Sequence, residues 1–172
     1  MASGNARIVP LLTAALALAA GALSAGAARA QLPDAIAALD AAPLVTLHAE
    51  GAQIYECKTG SDGKLTWTFR EPIASLMLDG RTVGRHYAGP TWEHVDGSSV
   101  QAKVIGNAPG ATANDIPWLK LEVVERRGTG ALAGADIAIN TAGGVLHGSC
   151  ERAGTLRSVG YSADYVFRRK DR

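Results

Sequence analysis

Four histidines, two cysteines and one aromatic-rich segment carry most of the chemistry this sequence has to offer. The segment runs Gly84-Arg-His-Tyr-Ala-Gly-Pro-Thr-Trp-Glu93 and continues into His94, which gathers His86, Tyr87, Trp92, Glu93 and His94 around a Gly-Pro turn. Tyrosine and tryptophan each offer a large apolar face with a polar handle. Tyr87 and Trp92, with Trp118 further along, therefore suit a stacking surface for a sugar or a peptide. His86, Glu93 and His94 are types that ligate metals, and His48 or His147 could complete a set. Against that, neither His-x-His nor H-E-x-x-H occurs, and on an alternating strand Trp92 and His94 share a face while Glu93 takes the other. The metal assignment stays open, with His86 and His94 as its candidates.

Other chemistries find less support. No G-x-S-x-G is present, and Ser149, near His147 and beside Cys150, reads as loop chemistry next to a disulfide. Glu50, Glu71, Glu93 and Asp96 could furnish the carboxylate pair of a glycosidase, but nothing selects two of them. Gly128-Thr-Gly-Ala-Leu-Ala133 matches G-x-G-x-x-A after a good strand. That motif works by aiming a helix N-terminus at a pyrophosphate, with a βαβ unit behind it. The residues that follow, up to Gly143-Gly144, leave no room for such a helix, and too little chain remains for a dinucleotide fold. No cofactor is expected, and no catalytic residue is assigned.

The elements that must hold these residues begin with an export signal. Residues 1–30 contain Arg7 and Arg29, no acidic residue, and an apolar stretch from Ile8 to about Ala20. The stretch is too short to span a bilayer, which takes about 20 apolar residues. It ends in small residues and Ala28-Arg29-Ala30, the pattern of a cleaved Sec signal. No Arg-Arg pair in this leader points to the twin-arginine route. The expected destination is the periplasm or the exterior, with no membrane span left after cleavage. Seventeen Lys and Arg stand against sixteen Asp and Glu, and loss of the two leader arginines tips the formal charge to about −1. No basic stripe suggests nucleic acid; Arg168-Arg169-Lys170 reads as a solvated terminus.

In an exported chain, Cys57 and Cys150 are expected to pair. They stand 93 positions apart, and closing so long a loop is worth up to about 4–5 kcal/mol in the chain-entropy picture.

After a lead-in over 31–43, strand and turn signals dominate. Leu44–His48 runs to a turn at Glu50-Gly51, and Gln53–Cys57 alternates polar and apolar. Leu65, Trp67 and Phe69 share one face of a strand. Ala74–Leu78 and Arg81–Tyr87 flank Asp79-Gly80, a type I′ hairpin dipeptide, and Asp96-Gly97 is expected to be a second such turn, before Ser99–Ile105. A loop over 107–117 precedes the alternating strand Trp118–Glu125; a loop over 128–134 and two further strands near 137–139 and 162–168 complete the chain. No sustained helical period occurs after the leader. These signals predict a single all-β domain over 44–172, an antiparallel β-sandwich or barrel of short strands closed by one disulfide.

The chain also resembles a known family. Gln53-Ile-Tyr-Glu-Cys57, Trp67-Thr-Phe69 with Pro72, Gly84–Glu93 and Asp96-Gly-Ser98 carry the resemblance to the secreted domain of unknown function 3455 family. Ile116-Pro-Trp-Leu119, Asn140–Gly144 with Cys150, and Tyr161–Tyr165 extend it over nearly all of 44–168. It implies an exported all-β domain with paired cysteines and no established activity. A malate dehydrogenase label attached to some fungal relatives conflicts with the missing dinucleotide fold. A fainter likeness, Tyr55-Glu-Cys57 plus a late cysteine, is to the membrane-bound inhibitors of c-type lysozyme, but their Ser-Gly inhibitory loop is not recognisable here.

Together these readings predict an exported binding module for a glycan, peptide or protein ligand, with His86, Tyr87, Trp92, Glu93, His94 and Trp118 as candidate contacts. A metal-dependent or hydrolytic enzyme built on the His86–His94 region is the alternative.

Overall fold

Besides Met1, the computed structural model describes residues 43–133 and 135–169, with the backbone alone over 135–140. The expected leader and lead-in, apart from Met1 and Pro43, lie outside the described residues. Eight strands follow in order: β1 Pro43–Thr59, β2 Leu65–Leu78, β3 Arg81–Tyr87, β4 Thr91–His94, β5 Ser99–Ala108, β6 Trp118–Arg127, β7 Ala135–Gly143 and β8 Leu156–Arg169. Each pairs antiparallel with the next, and β8 returns to β1, so the sheet closes into a barrel. Of sandwich and barrel, the two predicted architectures, the structure takes the barrel. Closure gives every strand two neighbours along at least part of its length, which removes the exposed edge that open sheets must protect.

Period-two alternation makes the core. Leu47, Ala49, Gln53 and Cys57 on β1, Pro72, Ala74 and Leu76 on β2, and Tyr161, Ala163, Tyr165 and Phe167 on β8 are buried, while their sequence neighbours are at least partly solvated. Gly51 stands in the inward row of β1 where a Cβ would collide with the Ile73 carbonyl and Ala74 of β2. The predicted turn at Glu50-Gly51 is therefore replaced by unbroken strand: the glycine permits close approach of two strands rather than a reversal of one. β2 is likewise continuous through Pro72. It tolerates the proline because a bulge precedes it: Ile54 faces Glu71 and Tyr55 faces Phe69, which leaves Arg70 as the extra residue.

At Asp79-Gly80 both residues take positive φ, 49° and 74°, as a type I′ turn requires. At Asp96-Gly97 only Gly97 does. There the Gly97 N–H donates to His94 O and the His94 N–H to Ser98 O, a longer hairpin loop than the second type I′ turn expected. Asp96 uses that loop as an anchor. Its Oδ1 accepts from the Ser98 N–H (2.8 Å) and hydroxyl (2.6 Å), and its Oδ2 accepts from the Ala131 N–H (2.8 Å). The Leu132 N–H donates to Ser98 Oγ at 3.2 Å, and Leu132 itself is wholly buried in the core. Gly130 lets Asp96 approach where any Cβ would overlap its carboxylate. The G-x-G-x-x-A glycines thus latch the β6–β7 connection onto the β4–β5 loop, where no helix occurs among the described residues.

The disulfide Cys57–Cys150 (Cα–Cα 5.9 Å) ties the C-terminal end of β1 to the long β7–β8 connection at the opposite end of the barrel. The Cys57 N–H to Thr155 O and Gly154 N–H to Cys57 O bonds reinforce it. Replacing Cys57 with Ser, or reducing the wild type, is expected to cost about 2–5 kcal/mol. Thermal melts by circular dichroism with and without reductant check this, and coincident melts of Cys57→Ser and oxidised wild type would rule it out.

Candidate functional site

The β3–β4 hairpin is shorter than its neighbours. β3 pairs with β2 no further than His86 opposite Ala74, and β4 meets β5 only from Thr91 opposite Gln101 to Glu93 opposite Ser99. Beyond the hairpin tip, the flanks of β2 and β5 facing each other have no strand between them among the described residues. This notch opens into a cavity of about 560 Å³ within the barrel. Phe69, Arg70 and Val104 stand at its mouth, Ile116 and Pro117 come over it from the β5–β6 connection, and Leu119 and Leu121 form its far wall. Phe69 and Val104 are both about half exposed, an apolar rim rather than a packed edge.

The deep wall is aromatic. His86 and Trp92, opposite each other on the hairpin, stack at 4.3 Å with their planes 12° apart, and Tyr165 meets both edge-on, at 5.2 and 5.4 Å. His86 is 5% exposed. Its Nδ1 lies 2.9 Å from the Thr91 carbonyl. A carbonyl only accepts, so Nδ1 carries the proton and Nε2 the lone pair. Burial holds the ring's pKa down at about 4, outweighing the opposing pull of the Thr91 carbonyl, so His86 is neutral at pH 7.

Gln53, also lining the cavity, is 6% exposed. Among the described residues no hydrogen bond engages either its amide or His86 Nε2. Trp92 Nε1 is buried without a partner of hydrogen-bonding geometry, although the indole stands near enough to Tyr165 to offset part of that phenol's upward shift. Burial is the main cause of that shift. The remaining polar groups are spoken for. Thr141 Oγ1 donates to Ile116 O at 2.6 Å, the Tyr55 hydroxyl to Gly144 O at 2.8 Å, and the Tyr165 hydroxyl pairs with that of Tyr161 at 3.1 Å.

The predicted site residues divide between the two faces of the hairpin. His86 and Trp92 point into the barrel and line the cavity. Tyr87 and Glu93 point outward. There the Arg85 guanidinium bonds both Glu93 oxygens (3.0 and 2.9 Å), the Tyr87 hydroxyl donates to Glu93 (2.9 Å), and Arg85 lies over the Tyr87 ring. Arg85 first, then Tyr87, holds the Glu93 carboxyl below its usual range.

His94 shares the inward face but pairs with Asp96 at 3.0 Å, toward the latched end. Trp118 is 9% exposed, packs with Ala108 and donates from Nε1 to Thr141 O at 3.2 Å. Trp92 and Trp118 are thus interior side chains where a surface platform was expected. His48 bonds Asp164 and His147 bonds Asn114, each away from the hairpin. Among the described residues no three His, Cys, Asp or Glu side chains gather in a way that could hold a metal ion.

With the site in view, comparison with known proteins places the chain. A family model described as Protein of unknown function (DUF3455) matches residues 37–169. The chain belongs to that family. No curated protein and no solved structure matches it. The DUF3455 match covers every strand of the barrel, and with it both hairpin faces and the cavity wall.

His86 also sets a pH signature for this DUF3455 barrel. Unfolded, the imidazole titrates near 6.5; folded, near 4. Protons therefore favour the unfolded chain as pH falls. The stabilisation from keeping His86 neutral is complete above pH 6.5 and is lost between 6.5 and 4, to the extent of roughly 3 kcal/mol. Urea unfolding of wild type and His86→Phe at pH 7 and pH 4.5 measures it. The wild type is expected to lose more stability between the two pH values than the variant, and equal losses would show that His86 does not titrate this way.

Proposed function

We propose that this is an exported small-ligand-binding barrel that takes one largely apolar molecule through the notch above the β3–β4 hairpin. The carrying observation is the cavity itself: about 560 Å³, walled by Phe69, Leu119, Leu121 and Trp92, and reached from solvent past exposed Phe69 and Val104. That volume falls within the range of pockets that enclose single small ligands, roughly 300–1,000 Å³. Eight-stranded barrels enclose a space that either side chains or one such ligand can fill. Binding is favoured over catalysis because, among the described residues, no carboxylate, serine or lysine lines the cavity, and the Thr141 hydroxyl is held by a carbonyl.

Export is supported by the sequence pattern of residues 1–30 and by the disulfide, which suits a non-cytoplasmic compartment. No helix among the described residues is long and apolar enough to cross a membrane.

Two measurements test this reading. The neutral fluorophore 1-aminoanthracene is expected to bind saturably at one site per barrel, and Val104→Trp, which places an indole in the half-exposed mouth, is expected to weaken it at least about tenfold with an unchanged melting temperature. No saturable binding to the folded wild type would overturn the reading. Expression with periplasmic recovery is expected to yield a chain beginning at Gln31; intact mass spectrometry showing residues 1–30 retained would refute the cleaved leader.

A further inference from the structure

We infer that the cavity is built for a neutral apolar molecule bearing a hydroxyl, a phenol or an alcohol, which enters hydroxyl-first and donates that hydrogen to His86 Nε2. The inference rests on the binding reading above and specifies the chemistry of what binds.

Two polar groups on the cavity wall, His86 Nε2 and the Gln53 amide, belong to side chains at most 6% exposed and have no hydrogen-bond partner among the described residues. A polar group that a ligand buries without matching it costs about 1–3 kcal/mol, so this wall is suited to a guest that matches both. The Thr91 carbonyl dictates what His86 can accept. By fixing the proton on Nδ1 it turns Nε2 into an acceptor, so the complementary ligand atom is a donor. An alcohol or phenol supplies that donor. Its oxygen keeps acceptor capacity for a donor such as the Gln53 amide.

Charge argues the same way. His86 is neutral across the ordinary range because burial suppresses its protonation, so it offers an anion no counter-charge. Among the described residues the one charged side chain lining the cavity is Arg70, at the mouth and already 3.2 Å from the Glu71 carboxylate. A carboxylate driven to the deep wall would be desolvated without a partner, which is far costlier than burying a hydroxyl that is hydrogen-bonded. A hydrocarbon would fill the space but leave His86 Nε2 and the Gln53 amide unmatched. The aromatic floor, with Tyr165 edge-on to both stacked rings, favours a flat ring system over a flexible chain, since a ring loses less conformational freedom on binding.

Isothermal titration calorimetry of the folded, oxidised barrel at pH 7.5 with three matched probes tests this. They are 2-naphthol, 2-methoxynaphthalene, which keeps the oxygen but not the donor, and 2-naphthoate. The naphthol is expected to bind at least about tenfold more tightly than either of the others. His86→Phe is expected to collapse the naphthol-to-ether ratio to about one. Should that variant fail to fold, the wild-type protein alone decides: the ¹⁵N resonance of His86 Nε2 is expected to shift on adding the naphthol and to stay in place with the ether. Equal affinities for naphthol and ether, tighter binding of the naphthoate, or an unmoved Nε2 resonance would overturn the hydroxyl inference while 1-aminoanthracene binding still upheld the cavity. Silence of all three probes and of 1-aminoanthracene would instead bring down the binding reading beneath it.

Discussion

Pairing of β8 with β1 is the constraint from which the other features of the barrel follow. Once those strands hydrogen-bond, from Pro43 opposite Arg168 to Glu56 opposite Leu156, the sheet closes on itself everywhere but the notch and encloses a space of fixed girth. Every second side chain must then enter that space, whatever its type. Toward the β4–β5 loop the space is filled in the ordinary way: Leu47, Leu76, Val100, Leu132 and Phe167 are at most 1% exposed. Toward the disulfide the inward row carries Gly51, Gln53 and Tyr55 on β1 and Pro72 on β2, and the packing is incomplete. The same closure thus yields a solid core at one end and a lined cavity at the other.

The boundary between the two halves is the His86–Trp92 stack. It lies at the height where the short β3–β4 hairpin stops, so the last layer of core is also the floor of the cavity. A histidine there is costly unless it is neutral, and the Thr91 carbonyl, five residues on and across the turn, gives the ring a single donor bond that secures it. The arrangement leaves one acceptor facing an apolar space. A leucine at the same position would bring no polar atom to satisfy, so the histidine carries a polar cost that packing alone does not require.

Much of the architecture is legible in the residues. Asp79-Gly80 adopts the two positive φ angles its composition demands, and the alternation of Leu65 to Phe69 and Trp118 to Glu125 lies on strands. The misreading at Glu50-Gly51 has a physical cause. Gly51 looks like a turn glycine in the chain, yet it answers to a neighbour distant in sequence, the Ile73 carbonyl. Glycine needed for close approach cannot be told from glycine needed for a turn until the partner strand is known.

The site was half legible. His86 and Trp92 stood out by type, but their sorting from Tyr87 and Glu93 onto opposite faces, and the enclosure of Trp92, depend on where the barrel wall runs. Gln53 went unsingled although the signal was present: it occupies the inward phase of β1, in step with Leu47, Ala49 and Cys57. A lone amide in an apolar row is either hydrogen-bonded within the fold or held for something outside it.

The disulfide bears on the same division. It sits at the cavity end, where strands are paired on fewer sides and long connections replace packed side chains, and it joins β1 to the β7–β8 connection, which begins at Gly144, whose carbonyl holds the Tyr55 hydroxyl. A half-empty barrel end lacks the burial that would otherwise restrain it, because apolar surface left facing a cavity contributes less than surface packed against other side chains. A covalent link there acts where the hydrophobic effect is weakest and needs no inward side chain to do so. Rigidity at the mouth and an unfilled interior are competing demands on one set of residues. Cys57 and Cys150 let this barrel meet the first without surrendering the second.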